Sequence, residues 1–215
     1  MNYKNISTII FDFDGVITDS VDIKTEAFAK LYESYGNDIV KKVVQHHLAN
    51  GGMSRFEKFM IYHGDYLGIE LADQQILELN EQFSNLVVDK VVKAPYILGA
   101  YEFIKKYYQK FPFFIVSATP QNEIEKIVKL KGLNKYFIKV LGSPSLKDNN
   151  INRLISDYKL NISEICFIGD SINDYKAAKK TGVKFIGMCS PDDNPFPTNV
   201  LTIDRFELFI DLLKS

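Results

Sequence analysis

The chain has 215 residues, 46% hydrophobic and 25% charged, a composition that suits one well-buried core plus a smaller second module. Its 26 lysines and arginines nearly balance 27 aspartates and glutamates, for a formal net charge of −1. Such a balance gives no field for steering nucleic acid or an acidic membrane, so neither is expected as a partner. The lysine pairs at 41–42, 105–106 and 179–180 fall in helical patterns and are expected on solvated faces. The only cysteines, Cys166 and Cys189, have no metal-ligand spacing, and Cys166 inside an apolar run reads as a small buried hydrophobe. The polar opening leads straight into a strand, unlike a signal peptide. No apolar run approaches the roughly 18 residues of a membrane span, so the expected location is the cytoplasm.

The first strong pattern is the apolar run 7–11, which leads into Asp12, Asp14 and Gly15. A continuous apolar run is the mark of a strand buried on both faces, as in parallel sheets. Residues 21–93 then hold no convincing strand. Helical patterns are expected over 26–35, 38–48, 54–65 and 73–92, with Ser54 and Glu57 at capping-box spacing and Gly51 and Gly52 marking a loop. This stretch is far too long for an ordinary crossover and predicts a separate helical module with edges near Asp19 and at Ala94 and Pro95.

Strand-like runs return at 113–116, 165–168 and 184–187, with weaker ones at 139–141 and 200–203. Between them, residues 122–131 repeat apolar positions at Ile124, Ile127, Val128 and Leu130 before a stop at Gly132. Residues 151–158 and 174–180 behave alike, the latter ending at Gly182. Alternating strands and helices predict an α/β fold with a doubly wound, Rossmann-like parallel sheet. The expected core is 1–18 and 96–215, and the inserted helical module is 19–95.

In such a sheet, sites form at the carboxyl ends of strands. Asp12 and Asp14 follow the first run, Ser117 the second and Asp170 the run 165–168, with Asp174 one helical turn on and Lys147 in the loop after Leu141. Four carboxylates, a hydroxyl and an ammonium at one mouth suit phosphoryl transfer. A carboxylate can be the nucleophile and pass through an aspartyl phosphate. It is repelled by phosphate, however: at ~4 Å and an effective dielectric of ~20 each unit-charge pair costs about 4 kcal/mol. A hard cation relieves this, and magnesium prefers carboxylates, carbonyls, waters and phosphate oxygens.

The segment Asp12-Phe-Asp-Gly-Val-Ile-Thr-Asp-Ser20 resembles the first signature of the haloacid dehalogenase-like superfamily. Val116-Ser117-Ala-Thr119 resembles its second motif, Lys147 its third and Gly169-Asp170-Ser-Ile-Asn-Asp174 its fourth, in the family's order along the whole chain. The resemblance implies a magnesium-dependent phosphatase acting on a small phosphorylated metabolite such as a sugar phosphate or phosphoglycolate, in a monomer or weak homodimer. Asp12 would be the nucleophile and a metal ligand. Asp14 would protonate the leaving group, then activate water, and lend its main-chain carbonyl to the metal. Ser117, Ala118 and Lys147 would hold the phosphate, while Asp170 and Asp174 would complete the metal set. The chain departs from the usual third motif, because Lys147 precedes Asp148 rather than proline; Lys139 is the fallback.

The helical insertion resembles the family's cap, which closes over the site and reads the leaving group. Gly51-Gly-Met-Ser-Arg55 resembles the specificity loop of phosphoglycolate phosphatase-like and β-phosphoglucomutase-like members, making Gly52, Ser54 and Arg55 candidate substrate contacts. A plain helix cap with a solvated Arg55 is the competing reading. Ser117 has one too, as a cap for a helix beginning near Pro120. His46, His47 and His63 are expected at the surface or in packing, and Lys24 either touches substrate or is solvated. Two other functions compete: a phosphomutase, disfavoured by Lys24 and Gly169, and a signalling receiver domain, which lacks the DxDG signature and a large insertion.

Overall fold

A computed structural model describes residues 3–214. Met1, Asn2 and Ser215, which fall within the expected core limits, lie outside the described residues. Six parallel strands form one sheet: β1 (Thr8–Phe11), β2 (Phe113–Pro120), β3 (Lys139–Ser143), β4 (Ile165–Gly169), β5 (Lys184–Met188) and β6 (Thr202–Ile203). Their order is β3-β2-β1-β4-β5-β6, with Ile9 of β1 opposite both Phe113 and Cys166. The chain thus reverses its direction of growth beside β1, where a doubly wound sheet opens its crevice.

The apolar runs work because both faces of the sheet are covered. Successive side chains of a strand point to opposite faces. Ile9 and Phe11 join the larger apolar cluster, with Phe103 of α5 (Ala100–Tyr107), Ile124 and Ile127 of α6 (Gln121–Leu130), and Phe206 and Phe209 of α9. Ile10 joins the other cluster, with Ile151 and Leu154 of α7 (Lys147–Tyr158) and Ala177 and Ala178 of α8 (Ile172–Thr181). Helix α9 spans Phe206–Lys214. Cys166 is fully buried in β4, as its apolar run requires, and all six paired lysines are exposed.

Between β1 and α5 the chain forms α1 (Val21–Leu31), α2 (Asn37–Ala49), α3 (Arg55–Ile61) and α4 (Asp73–Lys93). They pack around Phe28, Phe59, Tyr62 and Phe83, with the Phe28 and Phe83 rings 4.4 Å apart. The two ends of this insertion lie side by side. Thr18 bridges to Tyr96, and the Asp19 amide donates to the Pro95 carbonyl at 2.9 Å. Lys131, just past α6, donates to the carbonyls of Val91, Val92 and Ala94 and so caps the carboxyl end of α4.

Several boundaries differ from those read in the sequence. The helix expected over 26–35 is α1 plus a separate short turn at Glu33–Tyr35, closed by Gly36 at φ 92°. The pattern at 54–65 ends as α3 at Ile61, where the chain widens through Tyr62–Leu67 to Gly68. Helix α7 starts at Lys147, four residues ahead of its apolar pattern, because its first turn is polar: Lys147 meets Asp12 and Asp174, and Asn150 donates to the Gly142 carbonyl. Strand β2 runs on to Pro120, and the weak run 200–203 shortens to β6.

Candidate active site

Asp12 leaves β1 still in register, its amide donating to the Ile168 carbonyl at 2.9 Å. The chain then turns sharply: the Gly15 amide donates to the Thr18 carbonyl at 2.8 Å, with Gly15 at φ 75°. A Cβ at Gly15 would collide with the Asp170 carboxylate, so glycine is required both for its backbone and for its lack of bulk.

Asp170 follows β4, and Asp174 stands in the first turn of α8. Ser171 caps that helix in a reciprocal box, and its hydroxyl donates to Asp174 at 2.5 Å. Single carboxylate oxygens of Asp12, Asp170 and Asp174 all lie within 4.8 Å of one another. Lys147, at the start of α7, places its ammonium 2.9 Å from Asp12 and 2.5 Å from Asp174, and all three are buried. Asp12 Oδ1 has no hydrogen-bond partner among the described residues.

Asp14 makes a different set of contacts. Its carboxylate accepts from Lys24, from the Ser20 hydroxyl at 2.6 Å and from the Thr119 hydroxyl at 3.2 Å. Thr119 in turn accepts from Lys24 at 2.7 Å. Ser117 is buried beside it and accepts from the Thr119 amide at 3.1 Å. Helix α6 begins after Pro120 with no side-chain cap, which removes the capping role weighed for Ser117.

The electrostatics separate these acids. Burial pushes Asp12 up to about 7; Lys147 pulls it down, while Asp174 and Asp14 push it further up. Burial, then Asp12 and Asp174, hold Asp170 well above the usual carboxylate range. Burial acts on Asp14 in the same sense, but the Lys24 charge and the bonds from Lys24, Ser20 and Thr119 outweigh it and hold Asp14 low. Burial works against the Lys147 ammonium, yet Asp12 and Asp174 raise it above the ordinary lysine range. Three acids crowded in a buried place, one with an orphaned oxygen, are a chemistry completed by a hard divalent cation. Asp12, Asp170 and Asp174 fit such an ion by donor type and spacing.

Asp12, Asp14, Lys24, Ser117, Thr119 and Asp170 line a cavity of about 770 Å³ that residues of the inserted helices, Phe28 and Lys58 among them, also line. Ala118 also lines it. The loop 51–54 closes its rim: Asn173 of α8 donates to the Gly51 carbonyl at 2.7 Å, and Gly52, at φ 72°, leaves no room for a Cβ beside Ser171. Ser54 caps α3 through the expected box with Glu57. Arg55 is 5% exposed and therefore not solvated. Its guanidinium pairs with both carboxylate oxygens of Glu123 on α6, donates to Ser84 at 3.0 Å and lies 4.4 Å from the Phe83 ring centre.

Sequence reasoning left Lys24 undecided; the structure sets it against Asp14. It missed Thr119, two residues past Ser117 on the same strand face. It also missed Lys58 as a wall of the cavity, with His47 beside it. A signal for Lys58 existed: Arg55, Lys58, Phe59 and Tyr62 stand at the i, i+3, i+4, i+7 spacing of a buried helix face.

An α/β crevice with acids at the strand ends under a helical insertion defines a hydrolase class. Residues 9–188 match the haloacid dehalogenase-like hydrolase family, and the chain belongs to that family. It is 28% identical over 205 residues to a phosphoglycolate phosphatase of Vibrio parahaemolyticus, spanning 87% of this chain and 86% of the relative. Among solved structures, CbbY of Rhodobacter sphaeroides in complex with phosphate superposes with a TM-score of 0.73 at 15% identity, over 98% of this chain and 100% of that one. The magnesium-bound hydrolase YfnB of Bacillus subtilis superposes at 0.70 and 21% identity over the whole of both chains. The chain is an enzyme of the phosphatase group within this family. No helix among the described residues is long and apolar enough to cross a membrane.

Proposed function

We propose that the chain hydrolyses the phosphate monoester of a small metabolite through an aspartyl phosphate on Asp12, with magnesium held by Asp12, Asp170 and Asp174. One observation carries the reading: three carboxylates within 4.8 Å of one another and the Lys147 ammonium meet where Asp12 and Asp170 open on the cavity. A bound magnesium ion would supply positive charge against the phosphoryl oxygens, letting anionic nucleophile and anionic substrate approach.

The residues divide the work. Lys147 holds Asp12 Oδ2 and adds positive charge beside the transferring group. Asp12 bonds to phosphorus as the bond from phosphorus to the leaving oxygen breaks. Asp14, held in place by Ser20, Lys24 and Thr119, is raised from its low value by the arriving phosphate dianion and carries the proton that goes to that leaving oxygen. Water then attacks the acyl phosphate and gives a proton to Asp14, and the Asp12 carboxylate is restored as free phosphate leaves. Ser117 and Ala118 line the same cavity as Asp12, where they would border the phosphate. Residues 19–95 act as a cap that excludes bulk water during these steps.

The curated relative's name favours hydrolysis over the mutase reading and phosphoglycolate-like esters as first substrates to try. The test is phosphate release from a panel of phosphorylated metabolites with magnesium. Asp12→Asn is expected to lower the rate at least roughly a thousandfold, as loss of a covalent nucleophile does. Chelation with EDTA should abolish release and added magnesium should restore it. Equal rates for wild type and Asp12→Asn would refute the mechanism.

A further inference from the structure

The buried and half-buried cations around the cavity are not all treated alike. Lys147 faces Asp12 and Asp174, Lys24 faces Asp14, and Arg55 faces Glu123. Lys58 is 2% exposed and lines the same cavity, yet no carboxylate among the described residues forms an ion pair with it. Its ammonium has one polar partner, Nδ1 of the buried His47 at 2.8 Å, and lies 5.5 Å from the Phe28 ring centre. An ammonium carries three donors, so two find no acceptor among the described residues. Burying a charge in that condition is costly unless something else completes it.

Burial accordingly brings Lys58 down to about 7, with Lys24 adding repulsion. Burial also pushes His47 down to about 3, which keeps its ring neutral and able to accept. A snorkelling lysine would have reached water, and this one does not. A packing lysine would have been matched as Arg55 is.

We propose that Lys58, positioned by His47, is the cap's anion site and binds a distal carboxylate or second phosphoryl group of the substrate while Asp12 engages the phosphate ester. This rests on the phosphatase reading above and adds to it the residue that selects among esters. Asp12 and Lys58 both line the cavity, whose volume of about 770 Å³ has room for a small bifunctional ester. It also reassigns the cap contact expected of Arg55, one helical turn away, whose charge Glu123 already neutralises.

The experiment compares paired substrates in the full-length protein with magnesium. 2-Phosphoglycolate is set against 2-hydroxyethyl phosphate, and propane-1,3-diol bisphosphate against 3-hydroxypropyl phosphate. Wild type is expected to prefer the anionic member of at least one pair by tenfold or more in kcat/KM, chiefly through KM, and that pair names the distal group. Lys58→Met should bring the preference to near unity. Should that variant not fold, Lys58→Gln removes the same charge. Wild type that cleaves both members of each pair equally, or a folded Lys58 variant that keeps the preference, overturns the site and leaves the hydrolase reading standing. Wild type that releases no phosphate from any ester overturns both.

Discussion

Gly15 shows how much one missing methyl group decides. Its φ of 75° lies in the left-handed region, and its open side abuts Asp170. Gly15→Ala should cost about 1–2 kcal/mol of backbone strain, read as a lower melting temperature. Activity should fall further than stability, roughly a hundredfold, because displacing Asp170 disturbs the acid cluster. Lys58 offers a second test through pH. The unfolded chain holds its lysine proton up to the ordinary value of 10.5, whereas the folded protein gives it up near 7. The burial penalty is therefore full below about pH 7 and fades as pH climbs toward 10.5, with Lys24, Asp170, Glu57, Lys147 and His47 setting the field around it. Lys58→Met should raise the melting temperature at pH 6 relative to wild type, and the gain should shrink by pH 10. A constant difference across that range would contradict the buried-ammonium picture.

Residue-scale legibility followed chain geometry. Asp12, Asp14, Asp170 and Asp174 could be read because each lies immediately beyond an apolar strand or one helical turn on, where local sequence reports position. Glu123, the partner of Arg55, lies 68 residues away on another helix, and no local pattern announces such a pair.

At the scale of elements, the strands were legible because both sheet faces are covered and the runs are apolar throughout. The helix ends were harder to read. Helix α7 begins with Lys147, Asp148 and Asn150, a polar turn chosen for the site and for its contacts, so hydrophobic periodicity finds only its later half. Helix α4 ends against Lys131, whose ammonium meets three of its last carbonyls. Lys131→Met would strand those carbonyls and should cost about 1–3 kcal/mol. Urea unfolding measures the loss, and faster amide exchange near the end of α4 would locate it.

For the whole molecule, the alternation of strands and helices was enough to predict the sheet, while the contact between insertion and core was not foreseeable. Arg55 and Glu123 bind the two parts at a second place besides the bridge of Thr18 to Tyr96. Glu123→Gln leaves a buried guanidinium without its counter-charge and should cost about 3–5 kcal/mol by urea unfolding. The pair Arg55→Met with Glu123→Leu should recover most of that loss, since neither charge then remains to be compensated. A double variant as weak as the single one would mean that packing, not charge, sets the cost.

The short distance between the insertion's two ends has a practical side. Because the chain departs from the core and re-enters it at adjoining points, the core sees the whole four-helix segment as a single long detour between β1 and α5. A tight linker across that gap would leave the β1–β2 register as it stands, and another helical segment could be spliced in its place. Such an exchange would also take away Lys24 and Arg55, so Asp14 and Glu123 on the core side would each need a new cationic partner from the incoming segment.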